Sequence, residues 1–178
     1  MRTATFVLVG GLVLSATLVG VRAGQRARVS PHESVGATID GSEITITYGR
    51  PYMRGRTIFG SLVPFDRVWC PGADEATTLD SQRDLQLGQL TVPSGPHTIW
   101  VLPTHDTWTL IVSKEPSGFH TNYNRYADLG RIDLLKRSID KAVEQLTFAI
   151  VKNAAGQGGS IAMTWDATEV SVPFRVVQ

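Results

Sequence analysis

The chain has 178 residues, of which 42% are hydrophobic, and it contains 17 basic residues, 16 acidic residues and one cysteine. A single cysteine excludes an intramolecular disulfide, so the fold has to be held together by its core. The near balance of charge removes the overall positive field that attracts nucleic acid or an anionic membrane, and no nucleic-acid partner is expected.

The N-terminus has the pattern of a secretory signal peptide. Residues 1–3 supply a short positive start, and residues 4–21 carry no charge. This apolar run contains glycines and is shorter than a membrane span of about 20 residues, which favours a signal peptide. Cleavage is predicted after Ala23, because Val21 and Ala23 fit the small-residue pattern.

The resulting organisation is a signal helix at residues 1–23, a flexible segment at 24–34 and one domain at 35–178. Removal of the leader takes away Arg2 and Arg22 and leaves 15 basic and 16 acidic residues. We expect an exported protein, periplasmic or extracellular. Basic residues that follow the apolar run keep an uncleaved membrane anchor open as the alternative, because such residues are typical of the cytoplasmic side.

A β-hairpin is predicted near the start of the domain. Residues 35–39 and 42–49 flank Asp40-Gly41, and both turn residues accept the positive φ of a type I′ turn. In the second segment the apolar residues fall at every second position, so they share one face of a strand. They are Ile44, Ile46 and Tyr48.

The rest of the chain also has the pattern of short strands separated by turns. Further strands are predicted at residues 76–79, 85–87, 90–92, 97–102, 108–113, 131–135, 145–151, 161–165 and 169–176. Only residues 138–145 suggest a helical turn. Many short strands without a sustained helical period indicate an all-β fold, an antiparallel β-sandwich or a jelly roll. Trp100, Trp108 and Trp165 lie in strand patterns and are expected in the core.

Residues 48–78 concentrate four arginines, five aromatic residues, the only cysteine and an adjacent acid pair. The stretch contains the motifs R-P at 50–51, R-G-R-T-I-F-G-S-L-V-P at 54–64 and V-W-C-P-G-A-D-E-A-T at 68–77. In these motifs the chain resembles the domain of unknown function 2911 family. The resemblance implies an exported bacterial β domain without an assigned activity, and it supplies no catalytic residues.

The arginines of this stretch allow two interpretations. A guanidinium fork matches carboxylate, phosphate or sulfate, so arginines beside aromatic rings suggest a site for an anionic or carbohydrate-type ligand, or a protein partner. Alternatively, the arginines pair with Asp66, Asp74 and Glu75 and pin a long loop to the sandwich. The candidate ligand-binding residues are Arg50, Tyr52, Arg54, Arg56, Trp69, Asp74 and Glu75.

Asp74 and Glu75 also raise the alternative of an enzyme, a hydrolase or metal-dependent enzyme that uses one of them with a histidine. Neighbours on an extended chain point to opposite faces, so the two carboxylates are not expected to flank one bond. Glu75 is expected to be buried and paired with an arginine. No catalytic residue follows from the sequence, and a binding or structural module is the preferred function.

Metal binding has weak support in the sequence. The weak candidates are His32, Glu33, His97 and His120. None of them stands at the spacing of a known metal motif, and no cofactor is implied by any motif. Cys70 lacks the following histidine and methionine of a blue-copper site, and a free buried thiol is expected.

Overall fold

The computed structural model describes residues 30–154 and 156–178, and the predicted signal peptide lies outside them. The described residues form nine strands joined edge to edge in one antiparallel sheet, in the order β1-β2-β3-β6-β7-β8-β9-β4-β5. The prediction of an all-β antiparallel fold is confirmed. The strands are β1 His32–Ile39, β2 Ser42–Gly49, β3 Thr78–Ser81, β4 Leu85–Leu87, β5 Leu90–Val92, β6 Gly95–Pro103, β7 Trp108–Ser113, β8 Asp128–Lys152 and β9 Gly159–Val176.

The predicted hairpin is present, with Ile39 opposite Ser42. Asp40 and Gly41 have φ values of 50° and 76°, as a two-residue I′ turn requires. Strand β1 begins at His32, three residues before the predicted start, because pairing with β2 continues to the His32–Gly49 pair.

The sheet folds over so that distant strands share one core. Tyr48 in β2 and Phe148 in β8 pack edge to face with ring centroids 4.9 Å apart. The Phe148 amide also donates a hydrogen bond of 3.1 Å to the Tyr48 hydroxyl. Three strands separate β2 from β8 in the sheet order, so this contact shows that the open sheet folds over and packs β2 against β8. The predicted core tryptophans, Trp100, Trp108 and Trp165, are all buried.

The predicted helical turn at 138–145 is wrong. These residues belong to β8, which runs without a break through two predicted strands. Its pairing with β9 shifts register between Ser138 and Val143 and again between Val143 and Thr147. Such bulges let a strand continue while its side-chain alternation is interrupted, and this interruption produced the misleading pattern. In the same way β9 joins the two last predicted strands.

The long connection between β2 and β3, residues 50–77, is tied to two distant strands. The backbone groups of Trp69 and Val101 in β6 exchange two hydrogen bonds of 2.8 Å. Nearer its start, the Met53 amide donates to the Glu144 carbonyl of β8 at 2.8 Å. The connection is therefore fixed across the end of the core. None of the described residues forms a helix with the length and hydropathy of a membrane span.

Candidate functional site

A groove of about 540 Å³ opens beside the connection 50–77. Small-ligand sites have volumes of about 300–1,000 Å³, so the groove has room for a small molecule. Its lining includes Tyr52, Arg54, Arg56 and Trp69, four of the seven candidate residues. The other described lining residues are Ser30, Pro51, Leu62, Val63, Gly72, Ala73, His120 and Trp165.

The aromatic wall of the groove is held by packing in the core. The rings of Trp69 and Trp165 stack with centroids 6.0 Å apart and an interplanar angle of 16°. Trp165 is only 1% exposed, and its indole N–H donates to the Glu144 carbonyl at 3.4 Å. Phe59 meets both indoles edge-on at 6.3 Å. Because Trp69 is half-buried against these rings, the wall is formed before any ligand arrives.

Arg56 is exposed, but its guanidinium is held in place. Its Nε donates to the Met53 carbonyl at 2.9 Å, and Nη2 donates to the Tyr52 carbonyl at 2.6 Å. A guanidinium carries five N–H donors, so these two bonds leave three for a ligand. An arginine fixed in this way loses little side-chain entropy when it binds an anion.

Arg54 lies at a tight turn on the same side of the groove. It has a φ of 51° and is followed by Gly55 with a φ of 71°. Its amide donates to Oε1 of Glu144 at 2.8 Å, and its guanidinium lies 5.7 Å from the centre of the Tyr52 ring. The left-handed turn thus directs two arginines two positions apart to one groove, and an L side chain at Arg54 accepts some backbone strain for it.

His120 contributes a different kind of group. Its Nδ1 lies 2.6 Å from the backbone carbonyl oxygen of Asp74, which also accepts the His120 amide at 3.0 Å. Because a carbonyl can only accept, Nδ1 carries the proton, and in the neutral ring Nε2 keeps its lone pair. Sequence reasoning offered His120 only as a weak metal ligand, and no local pattern places it beside Trp69.

Arg50 does not line the groove. Its guanidinium donates to the Leu146 carbonyl at 3.0 Å, to Thr147 Oγ1 at 2.9 Å and to Glu33 at 2.7 Å. The predicted internal network assigned the arginines to Asp66, Asp74 and Glu75. For Arg50, the acidic partner found in the structure is Glu33 instead.

Asp74 and Glu75 also lie outside the lining of the groove. Glu75 was expected to be buried, but its side chain is 50% exposed, and Oε2 lies 3.1 Å from His32 Nε2. The burial prediction is wrong because Ala76, the next residue, takes the inward position. Asp74 has a φ of 66° and contributes its backbone carbonyl, rather than its carboxylate, to the contact with His120.

The four weak metal candidates are not brought together. Glu33 binds Arg50, and His32 contacts Glu75. His97 is 8% exposed, with Nδ1 2.8 Å from the Ser113 carbonyl and Nε2 3.0 Å from the Pro93 carbonyl. Within residues 30–154 and 156–178, no group of three or more histidine, cysteine or acidic side chains is arranged to hold a metal ion.

Cys70 is a free, buried thiol, as expected. It is 1% exposed, and its sulfur accepts the Thr77 amide at 3.3 Å. Burial raises the pKa of the thiol to about 11. The thiolate is therefore scarce at neutral pH, and Cys70 stabilises the core rather than acting as a nucleophile.

Comparison with known proteins gives a family. Neither the curated proteins nor the solved structures contained a match to the chain. A family model described as "Protein of unknown function (DUF2911)" matches residues 30–174. The match includes the connection 50–77, eight complete strands and most of β9. The chain therefore belongs to the DUF2911 family of proteins of unknown function.

Proposed function

We propose that this protein is a binding module that holds a small anionic or carbohydrate-type ligand in the groove. The observation that carries the proposal is that Tyr52, Arg54, Arg56 and Trp69 line one groove. Its described lining residues include two arginines and a histidine and no carboxylate. The Glu144 carboxylate lies next to the Arg54 amide, so the anion site is assigned to the oriented guanidinium of Arg56.

The chemistry of the groove is that of a specific ligand site. Arg56 offers donors that are already oriented, and hydrogen bonds to charged groups contribute about 1.5–3 kcal/mol each. Trp69 offers a fixed apolar surface next to those donors. A ligand with an anionic group and an apolar face gains from both at once.

The enzyme alternative rests on a different pair of residues. The contact of 3.1 Å between Glu75 and His32 provides a carboxylate beside an imidazole. Neither residue lines the groove, so a ligand held by Arg56 and Trp69 does not meet this pair directly. The binding function is therefore preferred, and a protein partner at the groove is the remaining alternative for the occupant.

The experiment is calorimetric titration of the purified protein with acetate, phosphate, sulfate, glucose and glucuronate, guided by a thermal-shift screen. We expect at least one of these to bind. Arg56→Ala should lower its affinity about tenfold or more, which corresponds to about 1.4 kcal/mol. Arg67→Ala is the matched control, because Arg67 is exposed in the same connection and does not line the groove.

Melting temperatures test whether the variants remain folded, and we expect them to stay within about 2–4 °C of the original protein. Equal loss of affinity in Arg56→Ala and Arg67→Ala would mean that general charge, not the groove, attracts the ligand. Absence of binding by all five compounds would contradict the proposal.

A further inference from the structure

The groove presents a guanidinium, an aromatic ring and a histidine acceptor, and one class of ligand can bind all three. We propose that its ligand is a sugar acid, a ring-shaped polyol that carries a carboxylate. The carboxylate binds Arg56, the C–H face of the ring packs on Trp69, and a ring hydroxyl donates a hydrogen bond to Nε2 of His120. This inference rests on the proposed function, because it names the ligand class of the same groove.

His120 is the reason that the ligand needs a hydroxyl group. Its Nδ1–H is committed to the Asp74 carbonyl at 2.6 Å, which fixes the tautomer and leaves Nε2 as an acceptor. Among the described residues, the hydrogen bond given for the His120 side chain runs through Nδ1, not Nε2. Acetate and sulfate have no O–H group to donate to this nitrogen. A ligand that also carries O–H groups can satisfy His120 and the arginine in one bound state.

Arg56 is the reason that the ligand needs an anionic group. Two of its donors are fixed on the carbonyls of Tyr52 and Met53. The remaining donors include those of Nη1, and a planar fork of this kind matches the two oxygens of a carboxylate. Arg54 also lines the groove, two residues away.

Trp69 is the reason that the ligand needs an apolar face. Its position is set by the stacked Trp165 and by the backbone bonds to Val101. The axial C–H groups of a pyranose form a flat apolar surface, while its hydroxyls project from the edge. Such a ring can cover the indole and keep its polar edge toward His120 and Arg56, so one molecule can contact all three groups.

The three groups come from separate parts of the chain but are held by the same core. The arginine turn follows β2, Trp69 is bonded to β6, and His120 lies in the connection from β7 to β8. His120 is joined to the connection 50–77 through Asp74, so the acceptor and the aromatic wall keep a constant relation. A pre-formed arrangement of this kind favours a rigid, cyclic ligand.

The test uses the unaltered protein first and compares glucuronate, glucose, acetate and salicylate by calorimetry. We expect glucuronate to bind about tenfold more tightly than each of the others, since only it joins a pyranose ring to a carboxylate. Salicylate tests the alternative of a hydroxylated aromatic acid. Because this comparison needs no variant, it does not depend on the folding of any substitution.

Each result has a separate meaning. If acetate binds as tightly as glucuronate, the site recognises only the carboxylate. The sugar-acid inference is then wrong, while the proposed function stands. If glucose binds as tightly, the arginines do not contribute, and the inference is again wrong. Tighter binding of salicylate overturns it as well. If none of the four compounds binds and the phosphate and sulfate titrations also fail, both the inference and the proposed function fail.

The role of His120 is tested with His120→Asn. The asparagine amide can still donate to the Asp74 carbonyl, but it removes the acceptor at the position of Nε2. We expect glucuronate affinity to fall about fivefold to tenfold while acetate affinity is unchanged. His120→Ala, which also lacks an acceptor at that position, is the second variant if the first does not fold. Full glucuronate affinity in either folded variant would overturn the role of His120.

Discussion

The guanidinium of Arg50 donates from Nε to the backbone carbonyl of Leu146 at 3.0 Å, across 96 positions of sequence. The same side chain reaches Thr147 and Glu33. It therefore joins the end of β2 and the start of β1 to β8, where the open sheet folds over.

We expect Arg50→Ala to lower the free energy of unfolding by about 1–3 kcal/mol, because the Leu146 carbonyl and the Thr147 hydroxyl lose a partner that is 75% withdrawn from solvent. Urea denaturation measures the change. Glu33→Gln is the control, since it weakens only the exposed part of the network and should cost less than about 1 kcal/mol. Equal losses in the two variants would show that the bonds to β8 contribute nothing.

Gly49 is expected to tolerate no side chain. A Cβ at this position would collide with the backbone carbonyl of Ala73, a residue that lines the groove. Gly49→Ala should therefore destabilise the protein by about 1–3 kcal/mol and disturb ligand binding. Gly118→Ala is the matched control, because its nearest neighbour, the Cβ of Ala76, would be 3.8 Å away. Unchanged melting of Gly49→Ala would contradict this close approach.

The stability of the protein is expected to fall at alkaline pH because of Cys70. Burial raises the pKa of its thiol from 9.0 to about 11. The unfolded chain loses this proton first, so the thiol's contribution is complete below pH 9 and is lost as the pH rises toward 11. The change amounts to about 2–3 kcal/mol.

Denaturation curves at pH 8 and pH 10.5, compared between the original protein and Cys70→Ala, isolate this contribution. Burial also raises the pKa of Tyr48, and that contribution is present in both proteins. The original protein should lose more stability than the variant over this interval. An identical loss in both would exclude the thiol as the cause.

The N-terminus is expected to be processed after Ala23. N-terminal sequencing of the protein recovered from the periplasm or the medium should then begin at Gly24. Recovery of the chain in the membrane fraction with residues 1–23 intact would instead support the uncleaved anchor. Replacement of Ala23 with a bulky residue should block processing and leave the longer form.

The local sequence determined much of the fold. The Asp40-Gly41 turn, the alternation in β2 and the buried tryptophans follow from short-range patterns that reflect backbone conformation and side-chain period. The motifs of residues 50–77 were also sufficient to indicate the family. These features are encoded within a few neighbouring residues, so they can be recognised without knowledge of distant contacts.

The site itself depended on tertiary structure. The sequence suggested that Arg54, Arg56 and Trp69 act together, but only the folding of the whole sheet brings Trp165 and His120 beside them. It also separates Arg50 and Glu75 from the groove and gives Glu75 a histidine neighbour. The physical reason is that these contacts join residues tens of positions apart, and their formation depends on how the whole sheet folds over the core rather than on local chain preference.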